Sequence, residues 1–253
     1  MHILKDFVPP ATMRSLIADV LAAYDPPRNA LDLGQSPVVA QLGAQLETIV
    51  GRPLGFFAAF LFLVADTTLE TVSSNPGRGW HVDSACSQVD GDCYNLWLPL
   101  YSSAAGTGVE VVAAADNAEL YQCLGDPRLP LDILVRAGAP DLFAQLGADA
   151  RTDLILIRRG SPQALFLSWD DLVLRRMENP TVGDAAVFRQ ADIHRGFHDA
   201  GIRIQLSLKY VDRAARQLEP GVPTAAARGL SKHGRLEAQL VRELLGVQAA
   251  RLI

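Results

Sequence analysis

Two of the chain's five histidines stand where they could share a metal ion with one carboxylate. His81 and Asp83 occur in Gly79-Trp-His-Val-Asp-Ser84. On an extended segment, residues two apart project to one face, so an imidazole and a carboxylate lie side by side. A third ligand must come from elsewhere, and the candidate is His194 in Ile193-His-Arg-Gly-Phe197. Upstream of it, Gly183-Asp184 reads as a turn and Ala185 to Phe188 as a strand. His198 is the rival ligand, but Arg203 would then be only five residues away, too near for a strand-to-strand step. Two imidazoles and one carboxylate leave half of an octahedral coordination sphere free. That suits non-haem Fe(II) oxygen chemistry, in which a chelating co-substrate and O2 take the open positions. If the co-substrate is a 2-oxo dicarboxylate, its far carboxylate needs a fixed cation. Arg203, nine residues past His194, is the candidate, because a guanidinium pairs bidentately and keeps its charge.

These residues need strands to hold them. Gly201 to Tyr210 alternates: Arg203, Gln205, Ser207 and Lys209 share one face, and Ile202, Ile204, Leu206, Leu208 and Tyr210 the other. Further strands are expected at Phe56–Val64, Tyr94–Leu100, Gly108–Val112, Leu154–Ile157, Ala164–Leu167, Leu172–Leu174 and Ala185–Phe188. Ser73 to Gly79 reads as a loop, and Asp116 to Leu146 as a more helical insertion. Before the strands, Met13, Leu16, Ile17, Val20, Leu21 and Tyr24 mark a helix, with Thr12 as its cap and Pro26-Pro27 as its end. A second helix spans Val38 to Val50, with Gly51 as its stop. Ser231 to Ile253 returns to helix, with an apolar stripe of Leu236, Leu240, Val241, Leu244, Leu245 and Val247. That stripe packs on its own domain or forms a homodimer interface. The expected fold is mainly β with flanking helices, a double-sheet barrel or jelly roll. The expected organisation is one domain over 1–253: helical support at 1–54, a β core at 55–212 with an insertion near 113–150, and a helical segment at 213–253.

Four pieces carry a resemblance to a known family: Trp80-His81-x-Asp83; Asn95-Leu-Trp97-Leu-Pro-Leu100; Gly183-Asp184-x-x-x-Phe188; and Ile193-His194-Arg-Gly196 followed by Arg203. Together they resemble the Fe(II)/2-oxoglutarate-dependent oxygenases, in the phytanoyl-CoA dioxygenase-like branch. The resemblance implies a double-stranded β-helix with the metal between its two sheets. It implies His81, Asp83 and His194 as iron ligands and Arg203 as the partner of the 2-oxoglutarate C5 carboxylate. It also implies Asn95 and Trp97 as lining of the co-substrate pocket, although a tryptophan in a strand is by default a core residue. The implied activity couples oxidative decarboxylation of 2-oxoglutarate to hydroxylation of a C–H bond. The carboxylate of Asp83 disfavours halogenation, which in relatives needs a small residue there. The chain departs from the family pattern at Phe197-His198-Asp199-Ala200, where an Asn and a longer stretch are usual. Gly106 to Val112 resembles the family's small-residue strand without its Pro-Gly-Ser-His ending.

Composition bounds the alternatives. The chain has 253 residues, 49% of them hydrophobic, and a net charge of -5. It is long enough for a full core, and its charge gives no reason to expect nucleic acid or an anionic membrane. The longest apolar run, Leu54 to Ala65, is too short to span a bilayer. The three cysteines, Cys86, Cys93 and Cys123, form no CxxC pair and no disulfide framework. A cytoplasmic protein is expected. The expected substrate is a small molecule, an amino acid or natural-product intermediate before an acyl thioester. The rivals are a cupin-type metalloenzyme or a binding barrel that does not use 2-oxoglutarate. Arg158-Arg159 and Arg175-Arg176 read as solvated charges, and His2 and His233 as surface residues.

Overall fold

The structure, a computed structural model, describes residues 1–26, 30–65, 79–83, 89–103, 106–126, 129–160, 163–198, 200–217 and 235–252. Most of the Ser73–Gly79 loop, Cys86 and His233 lie outside the described residues.

The largest sheet has six antiparallel strands. In spatial order they are β1 (His2–Leu4), β11 (Ala185–Arg189), β5 (Cys93–Ser102), β13 (Ile202–Asp212), β3 (Leu54–Ala65) and β2 (Ala30–Leu31). Its centre is β13, which pairs along its length with both β3 and β5. Period-two alternation gives this sheet two different faces. Ala59, Leu61, Leu63, Leu96, Leu98, Leu100, Ile204, Leu206 and Leu208 point outward into the principal core. The opposite face carries Asn95, Trp97, Phe188, Arg203, Gln205, Ser207 and Lys209.

Helices cover the apolar face. The first, α1 (Pro10–Ala23), buries Met13, Leu16, Ile17 and Val20. The expected cap at Thr12 is not used: the helix begins at Pro10, where a missing N–H costs nothing, and Pro9 is its N-cap residue. The second, α2 (Pro37–Val50), starts at Ser36, whose hydroxyl accepts from the Val39 N–H at 3.2 Å. Gly51 ends it in the left-handed region at φ 72°, as expected of a glycine stop.

The chemical face is closed by a smaller sheet, β10 (Leu174–Glu178), β6 (Thr107–Val112) and β12 (Ile193–His198), in that order. Val109, Val111 and Met177 from it pack against Trp97, Ala186 and Phe188 of the large sheet. Glycine is required at Gly108, because a Cβ there would lie 1.9 Å from the Met177 carbonyl oxygen. On its outer side the small sheet carries a third sheet, β7 (Leu131–Val135), β8 (Leu154–Arg158) and β9 (Ala164–Leu167). Ile133, Val135, Leu154 and Leu156 of that layer pack with Trp80, Val112 and Ile193. The insertion also holds two short helices, α3 (Ala118–Cys123) and α4 (Pro140–Gln145). A two-stranded ribbon joins β4 (Val89–Asp90) to β14 (Arg216–Gln217).

Two readings are corrected. Arg158 is not a solvated charge: it is buried, and its Nε donates to the Leu124 carbonyl at 2.8 Å. Arg175 and Arg176, by contrast, are exposed as expected, on strand β10, and pair with Asp116 and Glu110. The strand expected at Leu172–Leu174 starts only at Leu174, because the Trp169–Asp171 turn precedes it. The last helix, α5 (Arg235–Arg251), buries Ala238, Val241 and Leu245 in the principal core. Among the described residues no helix is long and apolar enough to cross a membrane.

Candidate metal centre

The short segment holding His81 joins the edge of the small sheet. The His81 N–H donates to the His194 carbonyl and the His194 N–H to the His81 carbonyl, each at 2.9 Å. This closed antiparallel pair puts two imidazoles directly opposite each other, ring centroids 4.3 Å apart. Trp80, one residue earlier, points the other way into the outer core, where it stacks on Trp169 at 5.1 Å. Burying that indole fixes which face the segment presents, so His81 and Asp83 turn inward together. The Asp83 N–H donates to the Gln190 carbonyl at 3.0 Å and holds the segment two residues on.

Both imidazoles are oriented by carbonyls. His81 Nδ1 lies 2.7 Å from Gly79 O, and His194 Nδ1 lies 2.8 Å from Asp192 O. A carbonyl only accepts, so each Nδ1 carries the proton and each Nε2 keeps its lone pair for a ligand. Phe188 packs on the His194 ring at 4.7 Å between centroids. Asp83 lies 3.9 Å from His81 Nε2 and 3.7 Å from His194 Nε2 through its two oxygens. One ligand atom from each of the three residues falls within 4.8 Å of the others. Two neutral nitrogens and one carboxylate oxygen on one side of a point form a facial set suited to a divalent first-row metal.

Burial alone would raise the Asp83 carboxyl. The Lys209 ammonium, then His194 and His81, override that and hold it well below the usual carboxylate range. The His194 imidazole is pushed down to about 3, first by burial and then by His81. Asp83 held as carboxylate and His194 as neutral imidazole need no deprotonation before a cation binds.

Asn95 on β5 belongs to the same cluster. Its Nδ2 donates to Asp83 Oδ2 at 2.6 Å, and its Oδ1 accepts from Lys209 and from Ser207. It therefore positions the candidate ligand carboxylate. Lys209 Nζ reaches the same Asp83 oxygen at 2.6 Å and is 5% exposed. The strand alternation had put Lys209 on the face of Arg203, and that was the only signal for it in the sequence.

Arg203 lies at the other end of the inter-sheet space, 2% exposed. Its Nη1 donates to Thr107 Oγ1, Gly108 O and Phe197 O, and its guanidinium lies 5.5 Å from the Trp97 ring centre. Its buried Nε has no partner, and no carboxylate of the described residues pairs with it. Burial lowers its pKa to about 10, still charged at neutral pH. Gly196 makes room for it: a Cβ there would lie 3.0 Å from Nη2. A buried guanidinium with an open donor edge is an anion site. Trp97 supports it from the large sheet. His198 is buried near this end, its Nε2 3.0 Å from Gly201 O, and it stands outside the metal cluster.

No family model matches the chain, and neither does any curated protein. Solved structures do match. One is the non-heme alpha ketoglutarate dependent epimerase SnoN from nogalamycin biosynthesis, at 16% identity over 92% of this chain and 83% of that one, with a TM-score of 0.52. Another is the iron and alpha-ketoglutarate-dependent endoperoxidase NvfI, at 12% identity over 85% and 76%, TM-score 0.43. HygX from Streptomyces hygroscopicus, with iron bound, matches at 12% identity over 84% and 82%, TM-score 0.42. At such identity the likeness is one of fold, and the chain is accordingly a double-stranded β-helix of the kind on which SnoN is built.

Proposed function

We propose that the chain is an Fe(II)- and 2-oxoglutarate-dependent oxygenase acting on a small molecule. One observation carries this reading: His81, Asp83 and His194 converge within 4.8 Å at one end of the inter-sheet space, and a carboxylate-free buried guanidinium, Arg203, waits at the other. Bound iron, with 2-oxoglutarate and O2, would supply the oxidising power for a C–H bond while the oxo acid becomes succinate and CO2. The chain's own part is to bind and orient. Gly79 and Asp192 carbonyls aim the imidazoles, Asn95 and Lys209 fix the carboxylate, and Arg203 takes the far carboxylate of the oxo acid. The packed Trp97, Val109, Val111 and Phe188 keep water from the space between.

The test is succinate formation from 2-oxoglutarate by the purified chain with Fe(II) and O2, without added substrate. Turnover above the iron-only background is expected. His194→Ala should reduce it to background, whereas His198→Ala should keep most of it. A chain that forms no succinate and binds no 2-oxoglutarate in calorimetry would belong instead to the metalloenzymes or binding proteins that share the fold without this chemistry.

A further inference from the structure

We infer that Lys209 is a second anion-binding point beside the metal position, and that the substrate it takes carries a carboxylate on a flat apolar body. This rests on the function proposed above. The first support is a charge balance. A divalent ion and Arg203 carry three positive charges; Asp83 and the two carboxylates of the oxo acid carry three negative ones. Lys209 adds one more cation to the same enclosed space. Of the other buried charges, Asp192 is matched by Arg189, and Glu110 by Arg176 and Arg195 on the outer side of the small sheet. Among the described residues nothing on the chemical face balances Lys209 once Asp83 serves a metal. An enclosed unbalanced cation is costly unless a ligand's negative charge meets it.

The second support is donor geometry. An ammonium has three N–H donors. Lys209 gives two, to Asp83 Oδ2 and Asn95 Oδ1, and both acceptors lie on the β5 and Asp83 side. On the other side stands the ring of Phe60, its centre 5.9 Å from Nζ.

The third support is the surface that continues from there. Phe60 and Phe62 on β3 project to the chemical face, because Ala59, Leu61 and Leu63 project to the core. Their rings stack, centroids 6.3 Å apart, and both are only half-buried, unlike the core side of the same strand. Gln205, opposite Phe62 in register, holds a buried side-chain oxygen with no donor. A cation, two stacked rings and an open carbonyl acceptor in sequence suit a planar acid with a hydrogen-bond donor on its body.

The oxo acid is a poor alternative occupant for Lys209. Its far carboxylate has Arg203, whose guanidinium lies against Gly108 and Phe197, three residues along β12 from His194 and about 10 Å from it by backbone rise. Its other carboxylate is a metal ligand in the proposed reading.

The experiment is calorimetry on the Mn(II)-loaded chain with three probes: 2-oxoglutarate, 1-naphthylacetate and its neutral isostere 1-naphthylacetamide. 2-Oxoglutarate should bind the wild type; Lys209→Met also loses a support of Asp83, so it is titrated at saturating Mn(II), with occupancy checked by water-proton relaxation. In the presence of 2-oxoglutarate, naphthylacetate should bind the wild type, and the amide at least about tenfold more weakly. Lys209→Met should remove that difference. The acid–amide comparison uses the unaltered chain, so it stands even if Lys209→Met fails to fold. Equal binding of acid and amide, or no binding of either, overturns the inference and leaves Lys209 as the partner of Asp83 alone. Loss of 2-oxoglutarate binding in a folded Lys209→Met chain that still holds Mn(II) also overturns it, since Lys209 would then hold the co-substrate. No 2-oxoglutarate binding by the wild type counts against the proposed function, while a Lys209-dependent preference for the acid would still uphold the anion site.

Discussion

At the scale of single residues, the proposed function gives the two ends of the inter-sheet space different work, and the two can be separated. Arg203 touches none of the three candidate ligands, so its loss should leave metal binding alone. Replacing it with leucine removes the only described cation at that end. The expected result is a 2-oxoglutarate dissociation constant raised by roughly 30-fold or more, the range for removing one partner of a buried charge pair. Manganese affinity, read by calorimetry or by the water-proton relaxation of bound Mn(II), should stay within about twofold. Arg203→Lys should recover only part of the loss, because an ammonium lacks the planar fork that Thr107, Gly108 and Phe197 orient. Asn95 makes the opposite case. It donates to Asp83 Oδ2 and accepts from Lys209, so Asn95→Ala frees the carboxylate to rotate. Metal affinity of that variant should fall by about 10- to 100-fold, as for other groups that orient a ligand without binding the ion.

The strands convert these roles into positions. Gly196 sits on β12 between His194 and His198, and its missing side chain is the floor on which the Arg203 guanidinium lies. Gly196→Ala presses a methyl group against Nη2, and the arginine must give way by a few tenths of an ångström, which misaligns its donor edge. The expected outcome is a folded chain with 2-oxoglutarate affinity lowered several-fold and a thermal midpoint nearly unchanged. Gly108→Ala differs, because the clash is with a carbonyl oxygen of the neighbouring strand and the Phe197 ring. It should cost about 3 kcal/mol or more, the upper range for overpacking, or roughly 6–12 °C of thermal midpoint at this chain length. Much of this placement was readable beforehand. The His81–x–Asp83 spacing guarantees a shared face, and the alternation of Ile202 to Tyr210 separates a chemical row from a core row. The bridge that sets His81 opposite His194 was not readable, because it joins distant segments through backbone groups that every residue has. For the same reason β8 and β9 read as barrel strands. Their apolar composition matches that of the true barrel strands, and only the partner, β7, puts them in an outer layer. Lys209 was visible as a face position, but nothing local said that Asp83 would meet it.

Over the whole molecule the layers run helices, large sheet, chemical space, small sheet, outer sheet. Each sheet that borders the site is thus backed by an apolar layer on its far side. A site that must hold three ligands within a few ångströms gains from such backing, since a strand that cannot shift keeps its side chains in register. The helix α5 is part of that backing, although its sequence lies far from every site residue. Its Val241 and Leu245 are buried among α1, the large sheet and the principal core, the contacts that a homodimer through this stripe would otherwise claim. Leu245 is fully buried, and removing three of its carbons should cost about 2–5 kcal/mol through lost burial and the cavity left behind. For a chain of this size that is roughly 4–20 °C of thermal midpoint. Leu245→Ala should therefore lower the unfolding temperature in calorimetry while its mass by light scattering stays that of the parent chain. A stripe that served a second copy would behave the other way, losing mass on dilution with little change in the midpoint of the separated chain. Because α5 backs β5, which carries Asn95 and Trp97, the same variant should also loosen the metal site: weaker manganese binding near its midpoint than the parent shows at an equal distance below its own would place α5 in the support of the site.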